Sequence, residues 1–166
     1  MLIRPFQQRD RSDCERLMDA FGDELAAMDP YGRVIRAEGM GRHALKRMLR
    51  RAADNEGVVL VAEDDGEVIG FASGEVYRRM PDERFEVIDY VNGEVTELYV
   101  ASQARRRGAA TALLASLDDH FRERGCGAVR IEVFVPNASA RAFYEKLGYE
   151  ERDLAVFRLL GKEGKH

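Results

Sequence analysis

The sequence predicts an α/β fold built on a mixed sheet in a single domain, residues 1–166, and three observations predict it. Two apolar, β-branched runs, Val58 to Glu63 and Glu67 to Val76, flank Asp64-Asp65-Gly66, the pattern of an antiparallel hairpin. A strand over 94–100, a helix over 106–124 and a strand over 128–135 then follow in order, making a β-α-β unit whose strands should be parallel neighbours with a right-handed crossover. At 166 residues, 45% hydrophobic and without a compositional break, the chain is long enough for one buried core and too short for two typical domains.

The remaining elements follow from periodicity and punctuation. Leu2 to Phe6 reads as a first strand, and Cys14, Leu17, Met18, Phe21 and Leu25 place an apolar stripe on a helix that Asp29-Pro30-Tyr31-Gly32 stops. A second amphipathic helix runs from Arg42 to Ala53, with Leu45, Met48, Leu49 and Ala52 inward and a solvated basic face outward. Arg78 to Asn92 is a polar surface insertion, and Asn92-Gly93 reads as a turn before the strand at 94–100. Ala110, Leu113, Leu114, Leu117 and Phe121 set the face of the long helix, which Gly125 ends. Asn137 to Leu147 is the last helix, with Asn137 or Ser139 as N-cap and Gly148 as its stop. Tyr149 to Arg152 and Leu154 to Leu160 are expected to close the chain as two short strands.

Composition excludes several classes of function. A formal charge of -4 from 26 basic and 30 acidic residues is not that of a general phosphate-backbone binder, so no nucleic acid is expected as partner. Cys14 and Cys126 form neither a disulfide framework nor a zinc ligand set, and His43, His120 and His166 do not cluster, so no metal is expected. The N-terminus has no apolar signal core and the longest apolar run is Val58 to Ala62, which gives the expectation of a soluble, cytoplasmic protein with no membrane partner.

Arg105-Arg106-Arg107-Gly108-Ala109-Ala110 lies between a strand and a helix, where first-turn N–H groups lack intrahelical acceptors. Small residues at 108–110 let an anion approach those donors, and the helix dipole favours it, so a pyrophosphate fits there as well as a basic helix start facing solvent does. The turn is not a Walker loop, because Gly-x-x-x-x-Gly-Lys-Ser/Thr is absent.

Arg105-x-x-Gly108-x-Ala110 ahead of an Ala/Leu-rich helix resembles the Q/R-x-x-G-x-G/A signature of the Gcn5-related N-acetyltransferase (GNAT) superfamily. Asn137-x-x-Ala140-x-x-Phe143-Tyr144-x-x-x-Gly148-Tyr149 resembles its second block, and the order of elements is similar along nearly the whole chain. The resemblance implies a mainly antiparallel sheet with strands four and five parallel and splayed, helices on both faces, and acetyl-CoA in the opening as acyl donor. It also implies pantetheine on the backbone of Leu98, Tyr99 and Val100, pyrophosphate on Arg105, Arg106, Arg107, Gly108, Ala109, Ala110 and Thr111, and cofactor contacts from Asn137 and Tyr144. Ala110 stands where glycine is commoner.

Transfer of acetyl from a thioester to an amine needs a neutral amine, donors for the oxyanion and an acid for the departing thiolate. A phenol with an ordinary pKa near ~10 suits the last role, and the resemblance puts Tyr144 at the family's acid, where packing alone is the competing explanation. Two carboxylates in apolar strands compete as general base. Glu97 shares a face with Val95 and Tyr99 by simple alternation, and Glu132 has Arg130 and Arg141 within reach as ion-pair partners.

The expected activity is acetyl transfer by direct attack of a primary amine on a small molecule or a peptide or protein N-terminus. A non-catalytic acyl-CoA sensor and an enzyme for another short acyl group are the alternatives. Glu83, Glu86, Asp89 and Glu94 near strand four favour a cationic amine, a solvated loop explains them equally well, and a homodimer is left open.

Overall fold

The structure, a computed structural model, describes residues 1–78 and 91–158. Its elements are β1 (Leu2–Pro5), α1 (Arg11–Met28), α2 (Met40–Asp54), β2 (Val58–Asp64), β3 (Glu67–Tyr77), β4 (Asn92–Val100), α3 (Ala109–Glu123), β5 (Ala128–Ile131) and α4 (Ala138–Lys146). The strands lie in sequence order in one sheet, antiparallel from β1 to β4 and parallel between β4 and β5. Asp65 and Gly66, both at positive φ (50° and 84°), join β2 to β3 in the two-residue turn whose twist suits a hairpin.

Helices cover both faces of the sheet. On one, Phe21 of α1 meets Tyr99 at 5.3 Å between ring centroids, and Phe71 lies 6.1 Å from the same ring. On the other, Phe121 of α3 presses against Gly74 and Gly93, where a Cβ would come within 2.5 Å of its ring. Leu17, Leu45, Met48, Phe71, Leu113, Leu117 and Phe121 are the large buried side chains of the core.

One irregularity in β4 decides which residues face which layer. Ser73 pairs with Glu97 and Gly74 with Val95, so Thr96 is an extra residue, and its hydroxyl donates to Ser73 O at 3.2 Å. Such a bulge bends its strand and exchanges the faces beyond it. Glu97 and Tyr99 therefore share the α1–α2 face with Ser73 and Phe71, while Val95, paired with Gly74, faces α3. Simple alternation put Val95 beside Glu97; the bulge separates them.

Four other expectations are corrected. Asn92 and Gly93 are not a turn but the start of β4, paired with Tyr77 and Val76, and glycine stands at 93 because Phe121 occupies the side-chain space. β5 stops at Ile131 rather than Val135, since its ladder with β4 ends there. The basic side of α2 is not simply solvated: Arg51 bonds Glu75 and Arg47 lies 3.6 Å from Glu97, both on the sheet. Residues 149–158 form no strand, with Leu154 and Val156 exposed; an alternating pattern is insufficient without a partner edge, and Phe157 is held by Tyr31 instead (5.0 Å between rings). Leu159 and Leu160, like Glu83, Glu86 and Asp89 of the insertion, lie outside the described residues.

Gly93→Ala is expected to destabilise the fold by about 1–3 kcal/mol through overpacking. The cost should shrink in a Phe121→Leu background, as measured by urea unfolding, because the clashing ring is gone.

Candidate functional site

The β4–β5 ladder runs through Asn92↔Ala128, Gly93↔Val129, Glu94↔Arg130 and Val95↔Ile131, and then stops. From Thr96 to Val100, β4 continues against β3 and, among the described residues, against no other strand. Alternate residues of an antiparallel strand turn their N–H and C=O away from the partner, so this stretch presents free backbone groups to the gap. Leu98, Tyr99 and Val100 lie on that edge, and Val100 O is already an acceptor for Arg105 Nε at 2.9 Å.

The start of α3 lies beyond the end of β4. A short 3-10 turn, Ser102–Ala104, leads to Arg105 in extended backbone, Arg106 at φ 65° and Gly108 at φ 87°. The helix therefore starts at Ala109, four residues after the arginine run opens, because Arg106 and Gly108 both leave the right-handed region. Among the described residues no side chain caps it, and its first internal bond is Ala112 N to Gly108 O at 3.0 Å. The amides of Ala109, Ala110 and Thr111 thus precede the ladder and are available to an anion. A Cβ at Gly108 would meet nothing within 4 Å, so the space over these donors is open. A non-glycine residue at positive φ is strained, and Arg106 holds that conformation where the loop must turn its amides outward.

The three arginines have different partners. Arg105 Nη2 bonds both carboxylate oxygens of Glu24, at 2.6 and 2.7 Å, and Arg107 Nη2 bonds Asp64 at 2.6 Å. Arg106 has no ion pair among the described residues.

On the β5 side, Asn137 and not Ser139 caps α4, accepting from Ala140 N at 3.1 Å. Tyr144 is 9% exposed, with its ring 5.3 Å from Phe143 and 5.6 Å from Tyr149. Burial pushes its phenol well above the ordinary tyrosine value and Tyr149 adds to the shift, so Tyr144 stays protonated across the neutral range. Among the described residues its hydroxyl has no hydrogen-bond partner.

The two carboxylates differ sharply. Glu97 lies between the sheet and α2; burial raises its pKa above 4.5, opposed by Arg47 and then Arg51. Glu132 lies past the end of β5, 77% exposed, with Arg130 Nη2 at 2.7 Å, while Arg141 pairs with Glu151 at 2.7 Å instead. Glu75 was not singled out by sequence reasoning. It is buried beside Arg51 and Asn55 and lies opposite Glu94, and its only sequence signal was a carboxylate inside an apolar strand. Among the described residues, no group of three His, Cys, Asp or Glu is placed to hold a metal, and no helix is long and apolar enough to cross a membrane.

Parallel strands that part beside an uncapped helix N-terminus are what the sequence resemblance implied, and residues 18–149 match the Acetyltransferase (GNAT) family. The chain belongs to the GNAT family. It is similar to an uncharacterised N-acetyltransferase of Methanocaldococcus jannaschii, 36% identical over 95 residues, which are 57% of this chain and 53% of that protein. The chain thus spans about half of that relative's length. It is 32% identical over 121 residues to an aminoglycoside N(6')-acetyltransferase type 1 of Stenotrophomonas maltophilia, covering 68% of this chain and 72% of the other. Among solved structures, AAC(6')-Iy in complex with a CoA-containing bisubstrate analogue superposes with a TM-score of 0.68 at 19% identity, over 95% of this chain and 96% of that one.

Gly108→Val is expected to weaken acetyl-CoA binding by at least tenfold (roughly 1.4 kcal/mol or more), since a β-branched residue resists φ 87° and would fill the space over the amides. Arg42→Ala, which removes only an exposed side chain 3.8 Å from Glu15, should leave affinity unchanged in the same calorimetric titration.

Proposed function

We propose that this GNAT protein transfers acetyl from acetyl-CoA, bound as co-substrate, to a primary amine by direct attack. The observation that carries the reading is the gap that opens between β4 and β5 after Val95, with the uncapped start of α3 at one end and buried Tyr144 on the α4 side. In this reading the backbone of Leu98 to Val100 bonds the pantetheine arm, and the amides from Arg106 to Thr111 hold the pyrophosphate. Asn137 orders the start of α4 beside the arm.

The chemistry balances without a covalent enzyme intermediate. The amine nitrogen bonds to the thioester carbonyl carbon, the C–S bond breaks, and one proton leaves the amine while another reaches the thiolate. Tyr144 supplies the second proton, since burial keeps its phenol protonated and its hydroxyl has no competing partner among the described residues. Glu97 takes the first, directly or through water. Burial raises its proton affinity toward the working range, whereas Glu132 is solvated and tied to Arg130. Glu94 and Glu97 on the α2 face, together with the aminoglycoside acetyltransferase relative, favour a cationic acceptor such as a polyamine or an amino sugar.

The reading is tested by calorimetry with acetyl-CoA and by thiol release over a panel of amines, peptides with free N-termini and amino sugars. Binding without transfer to any of them would replace the enzyme by an acyl-CoA sensor.

Tyr144→Phe keeps the ring and its packing, so acetyl-CoA affinity should stay within a few-fold while turnover falls by roughly 10²-fold. Unchanged turnover with chemistry rate-limiting would remove Tyr144 from the mechanism.

The acid limb of kcat/KM should report Glu97. Because burial raises its pKa, the carboxylate becomes a base only as pH climbs past a midpoint above the ordinary 4.5, and activity rises with pH through that window. Glu97→Gln should abolish the limb, and Glu132→Gln should leave it in place.

A further inference from the structure

The site described above explains the amides of the arginine loop but not the side chain that opens it. Arg105 points to α1, where Glu24 accepts from its Nη2 at 2.6 and 2.7 Å. The same carboxylate accepts from the Tyr99 hydroxyl at 2.9 Å. Arg105 Nε donates to Val100 O at 2.9 Å, and its guanidinium carbon lies 5.5 Å from the centroid of the Tyr99 ring. That ring is itself packed against Phe21 of α1 and Phe71 of β3. One side chain thus ties the last residues of β4, the first residue of the loop and the C-terminal half of α1 together.

We infer that Arg105, held by Glu24, is a positioning residue that sets the direction in which the loop leaves β4, and that its charge does not serve the donor's phosphates. The inference rests on the proposed acetyl-CoA reading. Its geometry is specific: Arg105 is in extended backbone (φ -67°, ψ 163°) immediately before Arg106 enters the left-handed region, so a rotation at 105 would swing every amide from Arg106 onward. Its guanidinium is neutralised by Glu24, both of whose carboxylate oxygens accept from the one nitrogen Nη2 in a charge-assisted contact. Side-chain exposures of 37% for Glu24 and 42% for Arg105 mean that the pair adds little to overall stability. What it contributes is the shape of the loop.

The two roles open to Arg105 give opposite signs in one experiment. If Arg105 were a phosphate contact restrained by Glu24, removing the Glu24 charge would release a cation toward the donor and tighten binding. If it is a positioning residue, removing that charge loosens the loop and weakens binding. Glu24→Gln is therefore expected to raise both Kd and KM for acetyl-CoA on the order of tenfold, with kcat within about twofold and the melting temperature nearly unchanged. Arg105→Gln should lose a similar factor, and the double variant should lose no more than Arg105→Gln alone, since both remove one contact. Tighter or unchanged acetyl-CoA binding by Glu24→Gln, or fully additive losses in the double variant, would overturn the inference while leaving the acetyltransferase reading intact. Absence of acetyl-CoA binding by the wild-type protein would overturn both.

Discussion

Parallel strands normally keep their hydrogen bonds to the end of the shorter one, and a strand that runs on alone must find other partners for its backbone or leave them to solvent or ligand. β4 runs on from Thr96 to Val100 with β3 on one side and, among the described residues, no strand on the other. The extra residue at Thr96, immediately after the last β4–β5 pair, bends the strand at the point of parting. The candidate site is arranged around that event: the backbone edge of Leu98 to Val100, the start of α3 past its end, and α4 beyond the shorter strand β5.

The same bulge distributes the chemistry between the layers. Because it exchanges faces, the residues before it, Gly93 and Val95, face α3, with Gly93 leaving room for the Phe121 ring, whereas Glu97 and Tyr99 after it face α1 and α2. Glu97 is thereby withdrawn from solvent, which raises its proton affinity, and Tyr99 meets Glu24 and Arg105. A strand without the bulge would place Val95 and Glu97 on the same face, which would turn Glu97 and Tyr99 away from α1 and α2.

The arginine run illustrates how one sequence motif divides into separate tasks once folded. Arg107 reaches back to Asp64 at the end of β2, Arg105 reaches across to Glu24 on α1, and Arg106 adopts the strained backbone that aims the following amides. Positive charge is the property the three share in the sequence, yet two of the three charges are paired within the protein. The anion-binding capacity of the loop comes chiefly from the uncapped amides and the helix dipole.

The order of elements, the hairpin, the β-α-β unit and both GNAT blocks were legible in the sequence, because periodicity, turn residues and spacing are local properties. The N-cap of α4 could be narrowed to Asn137 or Ser139 for the same reason, whereas the positive φ at Gly108 that delays the start of α3 to Ala109 was not read from a helix expected over 106–124. Four other features could not be read. The bulge at Thr96 depends on the register against Ser73 and Gly74 of another strand, so the face of Val95 could not be obtained by counting alternate residues along β4. The absence of strands over 149–158 depends on whether an edge is there to pair with, which the alternation of Leu154 and Val156 does not encode. The difference between Glu97 and Glu132 and the engagement of Arg105 by Glu24 arise from burial and from contacts between residues 81 positions apart. Local propensity and motif spacing determined the elements and the family of this protein; pairing register and burial, which exist only when distant segments meet, decided which of its charges remain free for chemistry.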